Sequence, residues 1–435
     1  MSSEARVEAE AVLDAAEAAG AFQDLPGYVM SLKQTLIQFR RDIHAHPELA
    51  FKETRTTEQI LRTLREAGLD PQPLPETTGA YVDVGPEGAE FAAGFRGDID
   101  ALPVVETTDL PYASTVEGVA HACGHDIHTT VMVGLALTLQ RLHRARIEDG
   151  DPAGLGARVR VIFQPAEETM PGGAKEVVRQ GLLEPLPRIF ALHCDPKLTV
   201  GSIGTRIGPI TSAGDIVRIE VTGRGGHTSR PHLTEDVIGA LSHIATTVPA
   251  VLARRIDVRS GVSLVWGHIQ AGNAANAIPS TGILHGTMRI LDAGAWKEAG
   301  GVLAPIVQQA ASSYGVDVAL DHVRGVPPVN NAETETGLIE EAARRVLGPK
   351  CVTLAEQSMG GEDFGWMTHE LPGAMFRLGT KTPEGEDYDL HRGDYAPDER
   401  AISVGVKVMA SVAEAAVAEL REAGVISDIR SSGPA

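Results

Sequence analysis

The residues best equipped for chemistry cluster in His121-Ala-Cys-Gly-His-Asp-Ile-His128. Cys123, His125, Asp126 and His128 place a thiol, two imidazoles and a carboxylate within six residues. Such a set can hold a divalent cation or form a polar loop with surface histidines; Cys-x-His alone does not decide between them. Three further segments weigh toward the cation. Arg158–Phe163 reads as a strand running into Gln164-Pro-Ala-Glu167-Glu168. Arg188–Leu192 reads as a strand running into His193-Cys194-Asp195, and Phe91–Phe95 as one running into Arg96-Gly-Asp98-Ile-Asp100. In an open α/β sheet, ligands bind outside the carboxyl ends of the strands. These donors therefore point to one mouth lined by metal ligands.

Adjacent residues of an extended segment face opposite ways. If Glu167-Glu168 is extended, one carboxylate can bind a cation while the other takes a proton from a water activated beside it. The competing reading is an acidic pair at a helix start. Other residues say little alone. His227, in the turn Gly223-Arg-Gly-Gly-His227, reads as structural or solvated. Arg289 reads as a surface charge at a strand end, and Asn276 and His391 as loop residues. There is no Walker-type loop, dinucleotide fingerprint or Gly-x-Ser-x-Gly elbow.

The elements that must position these groups fall into two patterns. Tyr28–Glu66 reads as helical with a break at Pro47. The three strands above then alternate with helices at Thr130–His143 and Gly173–Leu183, which predicts an α/β domain with a largely parallel sheet. The middle differs. Strands at Asp215–Thr222, Val262–Gln270, Ile283–Ile290 and Val316–Asp321 bracket helices at Val237–Arg255 and Trp296–Ser313. That order is βαββαβ, the ferredoxin-like pattern. It reads as a domain, 213–323, inserted into one made of 1–212 and 324–435. The α/β pattern resumes over 336–420, and Arg430–Ala435 reads as a frayed tail.

The chain has 435 residues, and its 43% hydrophobic content supports a sizeable core. Its net charge of −20 makes nucleic acid and anionic membranes poor partners. No apolar run approaches the ~20 residues that span a bilayer. Three scattered cysteines make no disulfide framework, and Met1–Gly20 lacks the pattern of a secretory signal. A reduced, cytoplasmic setting is expected.

Further motifs extend the set: Arg40-Arg-Asp-Ile-His-Ala-His-Pro-Glu-Leu49, Arg96-Gly-Asp-Ile-Asp-Ala-Leu-Pro103, Gly172-Gly-Ala174, Gly225-Gly-His-Thr-Ser229, Asn276-Ala-Ile-Pro279 and Gly361-Glu-Asp-Phe364. With those above, and in this order from about Arg40 to Leu420, they resemble the M20 metallopeptidase/amidohydrolase family. Within it the chain resembles the branch of N-acyl-amino-acid, hippurate and auxin-conjugate hydrolases. The resemblance implies a zinc-peptidase-like catalytic domain with a mostly parallel central sheet, and an inserted ferredoxin-like lid and dimerisation domain. It implies two divalent metals held by Cys123, His125, Glu168, His193 and His391, with Cys123 as the bridge. Glu167 matches the general base toward the water between them. Asp98 stands where related branches carry a histidine ligand, a duty that Cys-x-His takes over here. Asp100 matches an aspartate that orients a ligand, and a cis peptide often follows it in relatives. His227 matches a lid histidine that reaches the partner subunit's active site and stabilises the oxyanion. Asn276 and Arg289 match residues that grip the substrate carboxylate. Ile127 replaces a residue commonly Gly, and Gly361 one commonly Ser or Ala.

A thiolate among the ligands favours Zn²⁺, with Mn²⁺ or Co²⁺ as alternatives. The function implied is a metal-dependent amidohydrolase cleaving the linear amide bond of N-acyl amino acids. The alternatives are a dipeptidase or aminopeptidase of the same family, or a binding homologue without catalysis. A homodimer through the inserted domain is expected, with a small-molecule substrate and no nucleic acid or membrane partner.

Overall fold

The computed structural model describes residues 25–426. The stretch read for a secretory signal, Met1–Gly20, and the tail Arg430–Ala435 lie outside them. The chain divides into two compact units. One holds the residues up to Gly208, Asn331–Glu356 and those from Trp366 onward; the other is Pro209–Asn330 with Gln357–Gly365.

The first unit is built on an eight-stranded sheet in the order Gln72–Pro73, Ala80–Val84, Arg158–Gln164, Phe91–Asp98, Ile189–Thr199, Gly373–Lys381, Ile203–Thr205 and Val352–Leu354. The four strands from Arg158–Gln164 to Gly373–Lys381 run parallel. Phe91–Asp98 is buried at every position, as a central parallel strand covered on both faces must be. Helix Leu25–Ala45 stops two residues short of Pro47, and Thr54–Glu66 buries one face through Thr56, Thr57, Ile60 and Leu64. Helix His125–Glu148 is buried on all sides along its first half. At Gly134 a side chain would meet Val406 at 2.6 Å and Leu36 at 2.9 Å, so this glycine lets three helices close-pack.

Three expectations need correction here. The strand expected to end at Leu192 continues to Thr199, so His193 lies inside it, opposite Arg377. The helix expected over Gly173–Leu183 spans only Ala174–Arg179, because Gly181 turns left-handed at φ 74°. Two helices, Val237–Arg255 and Arg400–Glu422, are long and apolar enough to cross a membrane by length and composition. Polar residues such as Lys407 and Glu414 interrupt the second, so it does not read as an apolar run. It is apolar because 89% of its most apolar window lies in the core of the first unit.

The second unit carries a four-stranded antiparallel sheet, ordered Ser263–Ala271, Thr281–Ile290, Ala213–Thr222 and Asp317–Val326. Helices Val237–Arg255 and Ala293–Ser312 pack beside each other and on the sheet. Alternating burial along Ala213–Thr222 marks one covered face. Asp236 and Asp292 cap the two helices by accepting the amides of Gly239 (2.9 Å) and Ala295 (2.6 Å). Each such cap contributes about 1 kcal/mol. In chain order the unit is βαββαβ.

Candidate metal centre and active site

In the first unit the parallel strands deliver their carboxyl ends to one place. Asp98 closes its strand and Asp100 follows; Gln164 closes the next, and the chain turns into Glu167 and Glu168. His125 opens the helix His125–Glu148, with Gly124 before it at φ 86°. A Cβ on Gly124 would touch Cys194 at 3.0 Å, so this step of the chain needs glycine twice over. His391 sits in a loop at φ 63°, a strained backbone for a non-glycine residue, with its amide held by Ala122 O at 2.8 Å.

Seven expected site residues converge. The ligand atoms of Cys123, His125 and His193 all lie within 4.8 Å of one another, and so do those of Cys123, Glu168 and His391. Cys123 is common to both groups. Its Sγ is 3.5 Å from His193 Nε2. Glu168 Oε1 stands 3.3 Å from His391 Nε2 and 3.8 Å from His125 Nε2, and Glu167 Oε2 is 3.9 Å from the same His125 nitrogen.

Hydrogen bonds fix which histidine nitrogens face this space. His125 Nδ1 lies 3.0 Å from the Asp100 carbonyl, which can only accept, so Nδ1 carries the proton. His193 Nδ1 donates to the Cys194 carbonyl in the same way, at 2.8 Å. Each ring thus turns Nε2, the atom a metal binds, toward this space. His125 Nε2 is buried and has no hydrogen-bond partner among the described residues, a costly state that a cation would relieve. Burial and the Arg377 charge keep the His193 imidazole neutral by driving its pKa well down, as a ligand requires. For His125, burial opposes protonation but Asp98 and Cys123 overcome it and push the pKa well up. Burial likewise drives the Cys123 thiol well above its usual range. The thiol, imidazole and carboxylate donors suit a pair of divalent cations.

Asp100 ties the centre together. Its Oδ1 accepts the Glu167 amide at 3.0 Å and lies 3.3 Å from His125 Nδ1; its Oδ2 accepts the Glu168 amide at 3.0 Å. The peptide after it is trans; among the described residues the cis bond is Met170–Pro171. Glu167 and Glu168 form a turn rather than an extended pair. Ala166, at φ 56°, swings the chain so that both side chains approach His125, correcting the expectation that they diverge. His128, metal-competent by type, is committed elsewhere. The Cys194 amide donates to its Nε2 at 2.8 Å, so the proton sits on Nδ1 and goes to Asp98 at 2.5 Å. Asp98 also accepts from Arg96 at 2.7 Å.

Residues 94–415 match peptidase family M20/M25/M40. A *Bacillus subtilis* (strain 168) N-acetylcysteine deacetylase is 36% identical over 380 residues, 87% of this chain and 96% of that protein. The chain belongs to this peptidase family. It is thereby an amide-bond hydrolase. A solved *Bacillus subtilis* M20 structure, described as a dinuclear metal-binding peptidase, superposes with a TM-score of 0.76 at 31% identity, covering 89% of this chain and 99% of that one. A *Rhodococcus jostii* protein with a glutamate–cysteine ligase name is 44% identical over 380 residues, 87% of this chain. The chain spans only 46% of that protein's length.

The remaining expected residues of this M20 hydrolase lie in the second unit. His227 and Asn276 come together: Gly226–His227 pairs with Ala277–Ile278, and the Thr228 amide donates to Asn276 O at 3.1 Å. Both are exposed. His227 Nδ1 accepts the Ser229 amide at 3.1 Å, which puts its proton on Nε2. Arg289 is half-buried, not the surface charge its place near a strand end suggests, and its Nη1 is buried without a partner among the described residues.

Two groups carried no expectation. Arg40 is fully buried and donates to Asp126 at 2.6 Å, anchoring the residue next to His125. Glu53 is fully buried and accepts the Ala166 amide at 2.8 Å. Arg40 stands in a quoted motif; nothing in the sequence around Glu53 marks it.

Proposed function

We propose that this M20 hydrolase cleaves the amide bond of N-acyl amino acids with two divalent cations, zinc foremost. The observation that carries the reading is the Cys123 thiol shared by two donor groups. Cys123, His125 and His193 would hold one cation, and Cys123, Glu168 and His391 the other. Bound there, the cations supply positive charge that polarises the scissile carbonyl and acidifies the attacking water. Glu167 takes the water's proton on its carboxylate and returns it to the departing amine nitrogen. Asp100 holds the His125 Nδ1 proton and so keeps Nε2 turned inward.

In the same proposal Arg289 and Asn276 grip the substrate carboxylate, and the partner subunit's His227 donates its Nε2 proton to the oxyanion in a homodimer formed through the second unit. The unpartnered Arg289 Nη1 supports the first role, and the Nδ1 bond of His227 supports the second. A cytoplasmic setting completes it, in keeping with three unpaired cysteines.

The test is a substrate matrix on protein of measured metal content: acetyl-, benzoyl- and long-chain acyl-amino acids against dipeptides and against plain amides lacking the carboxylate. Acyl-amino acids are expected to lead by at least tenfold in kcat/KM. Preference for dipeptides or for plain amides would overturn the substrate reading. Metal-replete protein inert toward every amide would overturn the catalytic one.

A further inference from the structure

The turn that carries Glu167 and Glu168 is held by its backbone amides. Three successive N–H groups, those of Ala166, Glu167 and Glu168, each meet a carboxylate oxygen, at 2.8, 3.0 and 3.0 Å. Consecutive amides turned the same way make a concave anion site. Here two side chains of the protein itself fill it. Asp100 takes the second and third amides, and Glu53, 113 residues before Ala166, takes the first. The second Glu53 oxygen accepts the Thr78 hydroxyl at 2.5 Å, which fixes the carboxylate.

We infer that Glu53 is a positioning residue for the proposed base Glu167, because it holds Ala166 in the left-handed turn that aims the glutamate pair; this rests on the reading of Glu167 as the base. Ala166 at φ 56° occupies backbone space that residues with a Cβ rarely adopt unless their surroundings enforce it. Two contacts enforce it: the Glu53 carboxylate on its N–H, and the Gly173 amide on its C=O at 3.0 Å. Gly173 has no room for a side chain against Pro165 O, so the loop closes tightly there. Release of the Ala166 N–H frees the chain to return to right-handed or extended backbone, and the next two side chains rotate away with it. Glu53 belongs to none of the grouped donor sets, so it acts through the turn alone.

The experiment compares kcat, KM, metal content and melting temperature for Glu53→Ala, Glu53→Gln, Ala166→Gly and the double variant Glu53→Ala/Ala166→Gly. Glycine adopts φ 56° without penalty, so the double variant isolates the contribution of the backbone strain. Glu53→Ala is expected to lower kcat at least 30-fold with KM within threefold. Glu53→Gln keeps a carbonyl acceptor for the amide and should recover most of the loss. In the Ala166→Gly background the loss from Glu53→Ala should shrink at least fivefold. An equal loss in both backgrounds, or a Glu53→Ala enzyme within threefold of wild-type kcat, overturns the inference. If Glu53→Ala does not fold, Thr78→Val decides: a kcat three- to tenfold down supports the inference, and an unchanged kcat overturns it. Glu167→Ala runs alongside. If it keeps turnover, the base reading falls and this inference with it; a dead Glu167→Ala beside a live Glu53→Ala sinks this inference alone.

Discussion

His125 and His227 each follow a glycine, yet their surroundings are opposite. His125 is 1% exposed; Asp100 holds its Nδ1 and carboxylates surround its Nε2. His227 is exposed and steadied only locally, by the amide and the hydroxyl of Ser229 on its Nδ1. The same contrast runs through the two units. In the first, donors on strand ends and a helix start are fixed by buried side chains and backbone. In the second, His227 sits on a two-residue strand and Asn276 in the turn just before its partner strand, both at the surface. Cation binding needs donors set to within a fraction of an ångström before the ion arrives. Groups that meet a substrate can be placed on exposed, adaptable elements.

Four variants break or sharpen that contrast. Glu167→Ala should lower kcat by about 10³-fold while metal content stays at wild type. Metal loss in step with activity would make Glu167 a ligand rather than a base. His227→Ala should lower kcat by about 10²-fold with metal content and melting temperature unchanged. A fall in melting temperature would show that the second unit is as tightly built around its histidine as the first. Asp100→Asn turns an NH₂ group toward an amide donor, so metal affinity should drop about 10- to 100-fold, read by competition with a chromophoric chelator; wild-type affinity would remove Asp100 from the scaffold.

The smallest effect is the pH dependence of stability that Glu53 brings. Burial pushes its carboxyl up to about 7 from the ordinary 4.5, with Asp100 adding to the rise and the Thr78 hydroxyl and Ala166 amide opposing it. Between these values the folded protein holds a proton that the unfolded chain has released, so this group's contribution to stability declines as pH climbs from about 4.5 to about 7. Glu53→Gln has no such proton. Its melting temperature relative to wild type should therefore rise by about 1–3 °C between pH 5 and pH 7.5, since 1 kcal/mol moves a protein of this size by about 1 °C. A difference that stays flat with pH would contradict the assignment.

The proposed cation donors are legible because several share short segments: His121–His128 and Gln164–Glu168 show their chemistry by local spacing. The central strands were legible because burial on both faces leaves continuous apolar runs. Contacts that no local pattern encodes were not. The Glu53–Ala166 bond joins a helix cap to a backbone amide 113 residues away, and a lone glutamate in Glu-Thr-Arg-Thr-Thr reads as a solvated charge. Glu167-Glu168 reads as extended because nothing in Pro-Ala-Glu-Glu signals a left-handed alanine; that conformation is held by Glu53 and Gly173 from outside the segment. The run past Leu192 was missed for a similar reason, since its pairing partners lie near residue 377.

Asp100 has a consequence for anyone who would redesign this hydrolase. One carboxylate braces His125 and the amides of Glu167 and Glu168, so in the proposed site a substitution there should disturb the base and the cations together. Evolution meets the same restriction. On the proposed roles, new substrate preferences would arise at surface positions such as Asn276, leaving the anchored interior as inherited.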